Sequence, residues 1–215
     1  MLRYVEDARI RSFRELRGYW REGIRVNKGF RRPGAKALIM YRLGVWQLGL
    51  QPGLVRSIAS RLYRLLHVFV RNRYGIELHA SARIGRRLYI SHQSGIVLHP
   101  GLVMGDDCMI RHCVTIGYAG SRPRGSKEPR RGPSTGDRVE IGVGAVIVGP
   151  ITIGDDVKIG PNAVVMRSVP AGAVVAAPPA RVMRRPPKGE QYHEPVPEAC
   201  GRETVRAGKT GDGNE

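Results

Sequence analysis

The chain has 215 residues, suiting one domain with appendages, and only 6% are aromatic, a share that fits a thin core and not rows of base-stacking side chains. Thirty-six Lys and Arg against eighteen Asp and Glu give a net charge of +18, which calls for anionic partners: nucleic acid, anionic lipid or a phosphorylated small molecule. No recognised nucleic-acid-binding motif accompanies the charge, so nucleic acid is not expected as a partner.

Residues 1–73 read as a basic helical region, with Arg or Lys recurring at short intervals from Arg3 to Lys36. Helices are predicted over 4–23, 34–49 and 53–72, separated by the breakers Pro33-Gly34 and Pro52-Gly53. The third places Leu54, Ile58, Leu62, Leu65 and Leu66 on one face, with Arg56, Arg61, Arg64, Arg71 and Arg73 around it. Such a helix lies on an anionic membrane surface, or it packs on the rest of the chain or a neighbouring subunit. The N-terminus is charged from Arg3 onward without the apolar stretch of a signal peptide. The apolar run Ala37 to Leu50 is too short to span a bilayer and carries Arg42. The expectation is a cytoplasmic protein, with a peripheral contact on the inner face of the membrane as the reading of the basic helices. Three cysteines (Cys108, Cys113, Cys200) are an odd number and read as buried free thiols.

From residue 74 a new rhythm begins. Anchors return every sixth position at Leu78, Ile84, Ile90 and Ile96, then Met104, Ile110 and Ile116, then Thr135, Ile141, Ile147, Ile153, Ile159, Val165 and Ala171. Six is neither the helical period of about 3.6 nor the strand period of 2. A hexad makes one short strand and one corner, and three such sides close a triangular coil, so the fold class is mainly β, a parallel β-helix. Val/Ile-Gly pairs also occur in ordinary β-sandwiches, but seven anchors in unbroken register from Thr135 to Ala171 favour the solenoid. The register breaks twice. Eight residues separate Ile96 from Met104, which predicts a two-residue bulge near His99-Pro100-Gly101. Nineteen separate Ile116 from Thr135, so a loop over 118–134 leaves the coil, and such excursions are where function concentrates. The solenoid is read over 74–183 and a tail without periodicity over 184–215.

Ile90 and Ile110 occupy the same side of consecutive coils, which stacks His92 over His112 about one strand spacing (~4.8 Å) apart. Glu77 stands just before the Leu78 anchor, and a carboxylate that orients an imidazole is what a general base needs. A His beside a Glu in a repeat is also, more plainly, a surface pair. No metal site is predicted, although His92, His112 and Glu77 are potential ligands.

The stretches GIELHASARIG, YISHQSGIVL, IRHCVTIG, RRGP, IGVGAVIVGPITIGDDVKIGPNAVV and PPARVM resemble the solenoid of serine acetyltransferases, hexapeptide acyltransferases with a left-handed parallel β-helix. IGRRLYISH, GDDCMIRHCVTIG and the compact basic N-terminus before YGIE are similar to shorter acetyltransferases of capsule and exopolysaccharide (colanic-acid type) clusters. The resemblance implies direct transfer of acetyl from acetyl-CoA to an acceptor hydroxyl, with no metal. It implies His92 as base and Glu77 as its carboxylate partner, a position ordinarily Asp. It implies a coenzyme cleft between subunits of a trimer, or a dimer of trimers. Gly117, Tyr118 and Gly120 match the loop over the thioester, and Gly142, Val143, Gly144, Gly160 and Pro161 match corners lining the cleft. Ala180 and Arg181 match the adenine end. Small residues matter where the pantetheine arm runs along backbone. Loop cations (Arg122, Arg124, Lys127, Arg130, Arg131) are candidates for phosphates or an acidic acceptor, or simply solvated.

The chain also departs from the serine-specific pattern. Ser91 stands where an Asp precedes the catalytic His, and Arg131-Gly132-Pro133 stands where Arg-His-Pro is usual. Arg131 is kept, and His112, Arg131 and Ser91 are read as acceptor-binding. On these departures the expected acceptor is a sugar hydroxyl of a surface polysaccharide or glycoconjugate. L-serine is the alternative small-molecule acceptor, and a non-catalytic membrane scaffold is a second alternative.

Overall fold

The computed structural model describes residues 10–120 and 131–181. Residues 4–9 of the first predicted helix, the loop cations Arg122, Arg124, Lys127 and Arg130, Cys200 and the tail lie outside the described residues. The chain divides after Pro178, and the unit before that point holds the helices and the solenoid together.

The helices are α1 (Phe13–Val26), α2 (Pro33–Gly49) and α3 (Leu54–Tyr74). The first begins well after the predicted start, at a cap the apolar pattern does not reveal. Ser12 Oγ accepts the Glu15 N–H at 3.1 Å, and the Glu15 carboxylate accepts the Arg11 N–H at 2.8 Å, a variant of the capping box.

Short strands follow: β1 (Ile76–Leu78), β2 (Arg83–Ile84), β3 (Tyr89–Ile90), β4 (Ile96–Leu98), β5 (Val103–Met104), β6 (Met109–Ile110) and β7 (Thr115–Gly117). After the loop come β8 (Ser134–Thr135), β9 (Glu140–Ile141), β10 (Val146–Val148), β11 (Thr152–Ile153), β12 (Lys158–Ile159), β13 (Val164–Val165) and β14 (Val174–Val175). Every third strand joins one sheet: β1-β4-β7-β10-β13, β2-β5-β8-β11 and β3-β6-β9-β12-β14. Each ladder among the described residues is parallel, which a sandwich of hairpins does not produce. The result is a parallel β-solenoid of about four turns, a period that follows from three six-residue sides.

Two register details differ from the sequence reading. The column through Leu78 runs to Leu98 and Ile116, so Leu98 and not Ile96 carries the anchor position. The two extra residues therefore sit in the corner Ser91–Gly95, and not near His99-Pro100-Gly101. Ile96 misleads because it is as buried as Leu98. At the other end Val169 bridges Ile153, and Ala171 is exposed, because the last coil is two residues shorter.

A solenoid's first coil presents unpaired strand groups, and buried backbone donors and acceptors require partners. The helices supply them. Tyr41 Oη donates to Ala82 O at 2.8 Å and accepts the Ile84 N–H at 3.0 Å. The buried Arg42 guanidinium donates to Ile84 O and Gly85 O and lies 4.6 Å from the Tyr19 ring centroid. Asn27 donates to Leu88 O at 3.0 Å and accepts the Ile90 N–H at 2.9 Å.

α3 settles half of the choice between packing and exposure. Ala59, Tyr63, Leu66 and Val70 face the core, so Leu66 leaves the predicted stripe. Leu54, Ile58, Leu62, Leu65 and Phe69 stay exposed. No described helix is long and apolar enough to cross a membrane.

The edge between the second and third sheets is structural. Arg87 pairs with Asp107 at 2.5 Å and Arg138 with Asp156 at 2.7 Å, holding both aspartates below the usual carboxylate range. Asp106, Asp137 and Asp155 each accept a backbone N–H from the coil before, which accounts for the repeated Gly-Asp in the sequence.

Candidate active site

The edge between the third and first sheets carries the histidines. Its corners are Ser91–Gly95, Arg111–Cys113, Gly142–Gly144 and Gly160–Asn162. They stack through backbone bonds, Cys113 N–H to Ser94 O at 2.9 Å, Gly144 N–H to His112 O at 3.1 Å and Asn162 N–H to Val143 O at 2.8 Å. Ser94, Cys113 and Asn162 adopt left-handed φ values of 84°, 58° and 56°, uncommon for residues with a side chain. His92 is exposed on the longest of these corners, so the two inserted residues lift the base candidate out of the stack. The His92 and His112 rings meet edge to face at 5.5 Å, as the spacing predicts. His112 is half-buried, and its buried Nδ1 has no hydrogen-bond partner among the described residues.

Further along this edge lies a groove of about 260 Å³. Gly142, Val143, Gly160 and Pro161 line it, with Arg111 and with Lys158, which pairs with the lining Glu140 at 3.6 Å. A Cβ on Gly142 would stand 2.8 Å from both the Gly160 carbonyl carbon and Ile159 O, so only glycine keeps this backbone track. Four of the expected coenzyme residues, Gly142, Val143, Gly160 and Pro161, are thus brought together in one groove.

The other expected residues lie on a different edge, between the first and second sheets. Gly117 ends β7, Tyr118 and Gly120 follow it, and Gly132 beside Arg131 packs against Gly101. His99 belongs here as well, beside Gly117 and Tyr118. A Cβ on Gly117 would meet the His99 ring at 2.5 Å, and the His99 and Tyr118 rings are 6.0 Å apart. His79 and His99 recur at the same twenty-residue offset as His92 and His112, the signal that would have found them. The predicted site therefore divides: Ser91, His92, His112 and the groove on one edge, Gly117, Tyr118, Gly120 and Arg131 on the other, with the first sheet between. Ala180 and Arg181 fall beyond the division at Pro178 and are exposed.

Glu77 sits half-buried in the first sheet, opposite Val97. Burial holds the His67 imidazole below its usual pKa against the Glu77 charge, and burial raises Tyr63 with Glu77 adding to it. Among the described residues no hydrogen bond joins Glu77 to His92. Cys108 is buried and its thiol is pushed up to about 11 by burial, which leaves it unreactive. Cys113 is exposed, contrary to the expectation of a buried thiol. Among the described residues no three His, Cys, Asp or Glu cluster as metal ligands.

A second cavity, of about 380 Å³, opens at His92 itself. Asn27, Lys28 and Arg32 of the α1–α2 connection with Gly34 of α2 form one wall, and Tyr89, Ser91, His92 and Gln93 the other. Hexad periodicity does not register this wall, because it comes from outside the repeat.

The model of the bacterial transferase hexapeptide family (six repeats) matches residues 132–167. A serine acetyltransferase of Mycobacterium tuberculosis is 39% identical over 173 residues, covering 79% of this chain and 69% of that protein. Escherichia coli K12 WcaB, assigned by name as a colanic acid biosynthesis acetyltransferase, is 34% identical over 165 residues, 75% of this chain and 96% of that protein. The crystal structure of a Vibrio cholerae serine acetyltransferase matches with a TM-score of 0.63 at 29% identity, over 80% of this chain and 67% of that one. The chain spans only 58% and 64% of the serine acetyltransferases of Synechococcus elongatus and Synechocystis.

Proposed function

We infer that this chain, which belongs to the serine acetyltransferase family of hexapeptide acyltransferases, transfers an acetyl group from acetyl-CoA to an acceptor hydroxyl. His92 takes the hydroxyl proton as the oxygen attacks the thioester carbonyl, and the protonated imidazole returns that proton to the departing thiolate. A backbone N–H at Gly117 or Tyr118 of the second edge steadies the oxyanion. The pantetheine arm follows the Gly142–Gly160 groove, with Arg111 beside its phosphates. The single observation that carries this reading is the stacked pair His92–His112 in line with that groove.

The two edges serve one reaction only if one copy presents its histidine edge to the loop edge of the next. A closed ring of three copies pairs each histidine edge with one loop edge. This arrangement supports the trimer implied by the resemblance.

L-serine is the acceptor the relatives favour, since the Mycobacterium and Vibrio proteins are named for it. A sugar hydroxyl, the acceptor expected from the sequence, is the second reading. It is supported by the near-complete coverage of WcaB and by Ser91 and Gly132 at the two departures. Acceptor-dependent release of CoA thiol decides between them. L-serine is expected to stimulate release, and stimulation by nucleotide sugars or lipid-linked sugars alone would transfer the assignment to the sugar.

Peripheral membrane contact through α3 belongs to the same reading. The helix carries five arginines and no carboxylate beside its exposed apolar stripe, so an anionic bilayer suits it better than a second copy bearing the same charge. The protein is expected to sediment with phosphatidylglycerol vesicles, less so in high salt, and Leu62→Glu is expected to release it. Equal sedimentation with phosphatidylcholine vesicles would count against the idea.

A further inference from the structure

The cavity beside His92 bears on which acceptors reach the base. Its polar lining is lopsided: among the described residues Lys28 and Arg32 line it and no carboxylate does. Among the described residues neither cation takes part in an ion pair within 4.0 Å. The wall that carries them is rigidly docked. Asn27 ties the end of α1 to both Leu88 O and the Ile90 N–H, while its amide also reaches Gly23 O at 3.0 Å. At Gly34 a Cβ would stand 2.8 Å from the Ile90 Cβ and 2.9 Å from Ile90 O, so α2 begins in direct contact with the strand that leads to His92. Lys28 has a left-handed φ of 60°, and its ammonium sits 5.4 Å from the Tyr89 ring centroid.

Two cations left without a counter-charge in a concave site favour an anionic ligand, and charge-assisted bonds are the strong ones. An acceptor ammonium finds no partner here, because the residue before His92 is Ser91. We propose that this cavity binds the acceptor by a carboxylate or phosphate at its non-reacting end, held by Lys28 and Arg32, with the hydroxyl presented to His92. The proposal rests on the acetyl-transfer reading and narrows its acceptor class. The serine carboxylate, a uronic acid and a sugar phosphate all qualify. Serinol and neutral hexoses do not.

The test compares L-serine, serinol, glycerate, glucuronate, glucose 6-phosphate and glucose as acceptors, alongside binding of inorganic phosphate measured without acetyl-CoA. Anionic acceptors are expected to be preferred, with glycerate used despite its missing ammonium. Lys28→Gln with Arg32→Gln is expected to raise the acceptor KM by about tenfold or more, the loss typical of bonds to charged groups. The KM for acetyl-CoA should hold, and Lys28→Arg should retain most of the affinity. The double variant is also expected to weaken phosphate binding. Serinol or glucose used as well as the anions, or phosphate bound equally by the double variant, would overturn the proposal. If no acceptor is acetylated while phosphate binding still depends on Lys28 and Arg32, the transfer reading fails and the anion site stands.

Discussion

His92→Ala is expected to lower kcat by about 10²–10⁴-fold, the range for losing a general base, with the KM for acetyl-CoA nearly unchanged. The reason is positional. His92 is the exposed member of the stacked pair, on the corner enlarged by two residues, and it alone of the two lines the cavity of the α1–α2 connection. His112 is half-buried one coil later and touches His92 edge to face. His112→Ala should therefore act mainly on the acceptor KM. Glu77→Gln should cost less than His92→Ala, because Glu77 makes no direct bond to His92 among the described residues. Steady-state kinetics with varied acceptor and varied acetyl-CoA separate these effects. Loss of kcat in His112→Ala with most activity kept in His92→Ala would reverse the assignment.

The second large effect concerns assembly. Mixed trimers of His92→Ala and Arg131→Glu, formed by co-expression or by refolding together, are expected to recover about one quarter of wild-type activity. That fraction is the chance that a site draws an intact histidine edge from one copy and an intact loop edge from its neighbour. Each variant alone carries the same broken edge at every site and should be nearly inactive. The prediction follows from the separation of Ser91, His92 and His112 from Gly117, Tyr118 and Arg131 across the first sheet. Activity that stays at the level of the separate variants after mixing, with mixed trimers confirmed by mass, would place the whole site within one chain.

The sequence by itself determined the solenoid, the phase of most anchors and the meeting of His92 with His112. It could do so because the parallel ladder repeats coil on coil, so a residue's position in the hexad already states which side of the prism it occupies. The family resemblance, and not the period, pointed to Gly142, Val143, Gly160 and Pro161 as one cleft, and the structure lines a single groove with them. Periodicity failed where two nearby positions are both apolar and both buried, as with Ile96 and Leu98, for then it cannot choose the anchor and the bulge is misplaced by one corner of the coil. It failed again at Ala171, where the final coil shortens. Only the tertiary structure decided which edges the candidate residues share, that α3 leaves its stripe of leucines uncovered, and that Lys28 and Arg32 stand over the corner of His92. Those facts depend on contacts between segments far apart in the chain. Hydrophobic period reports only which side chains turn inward, and the wall opposite His92 is held there by Asn27 and Gly34 through backbone contacts that leave no periodic trace.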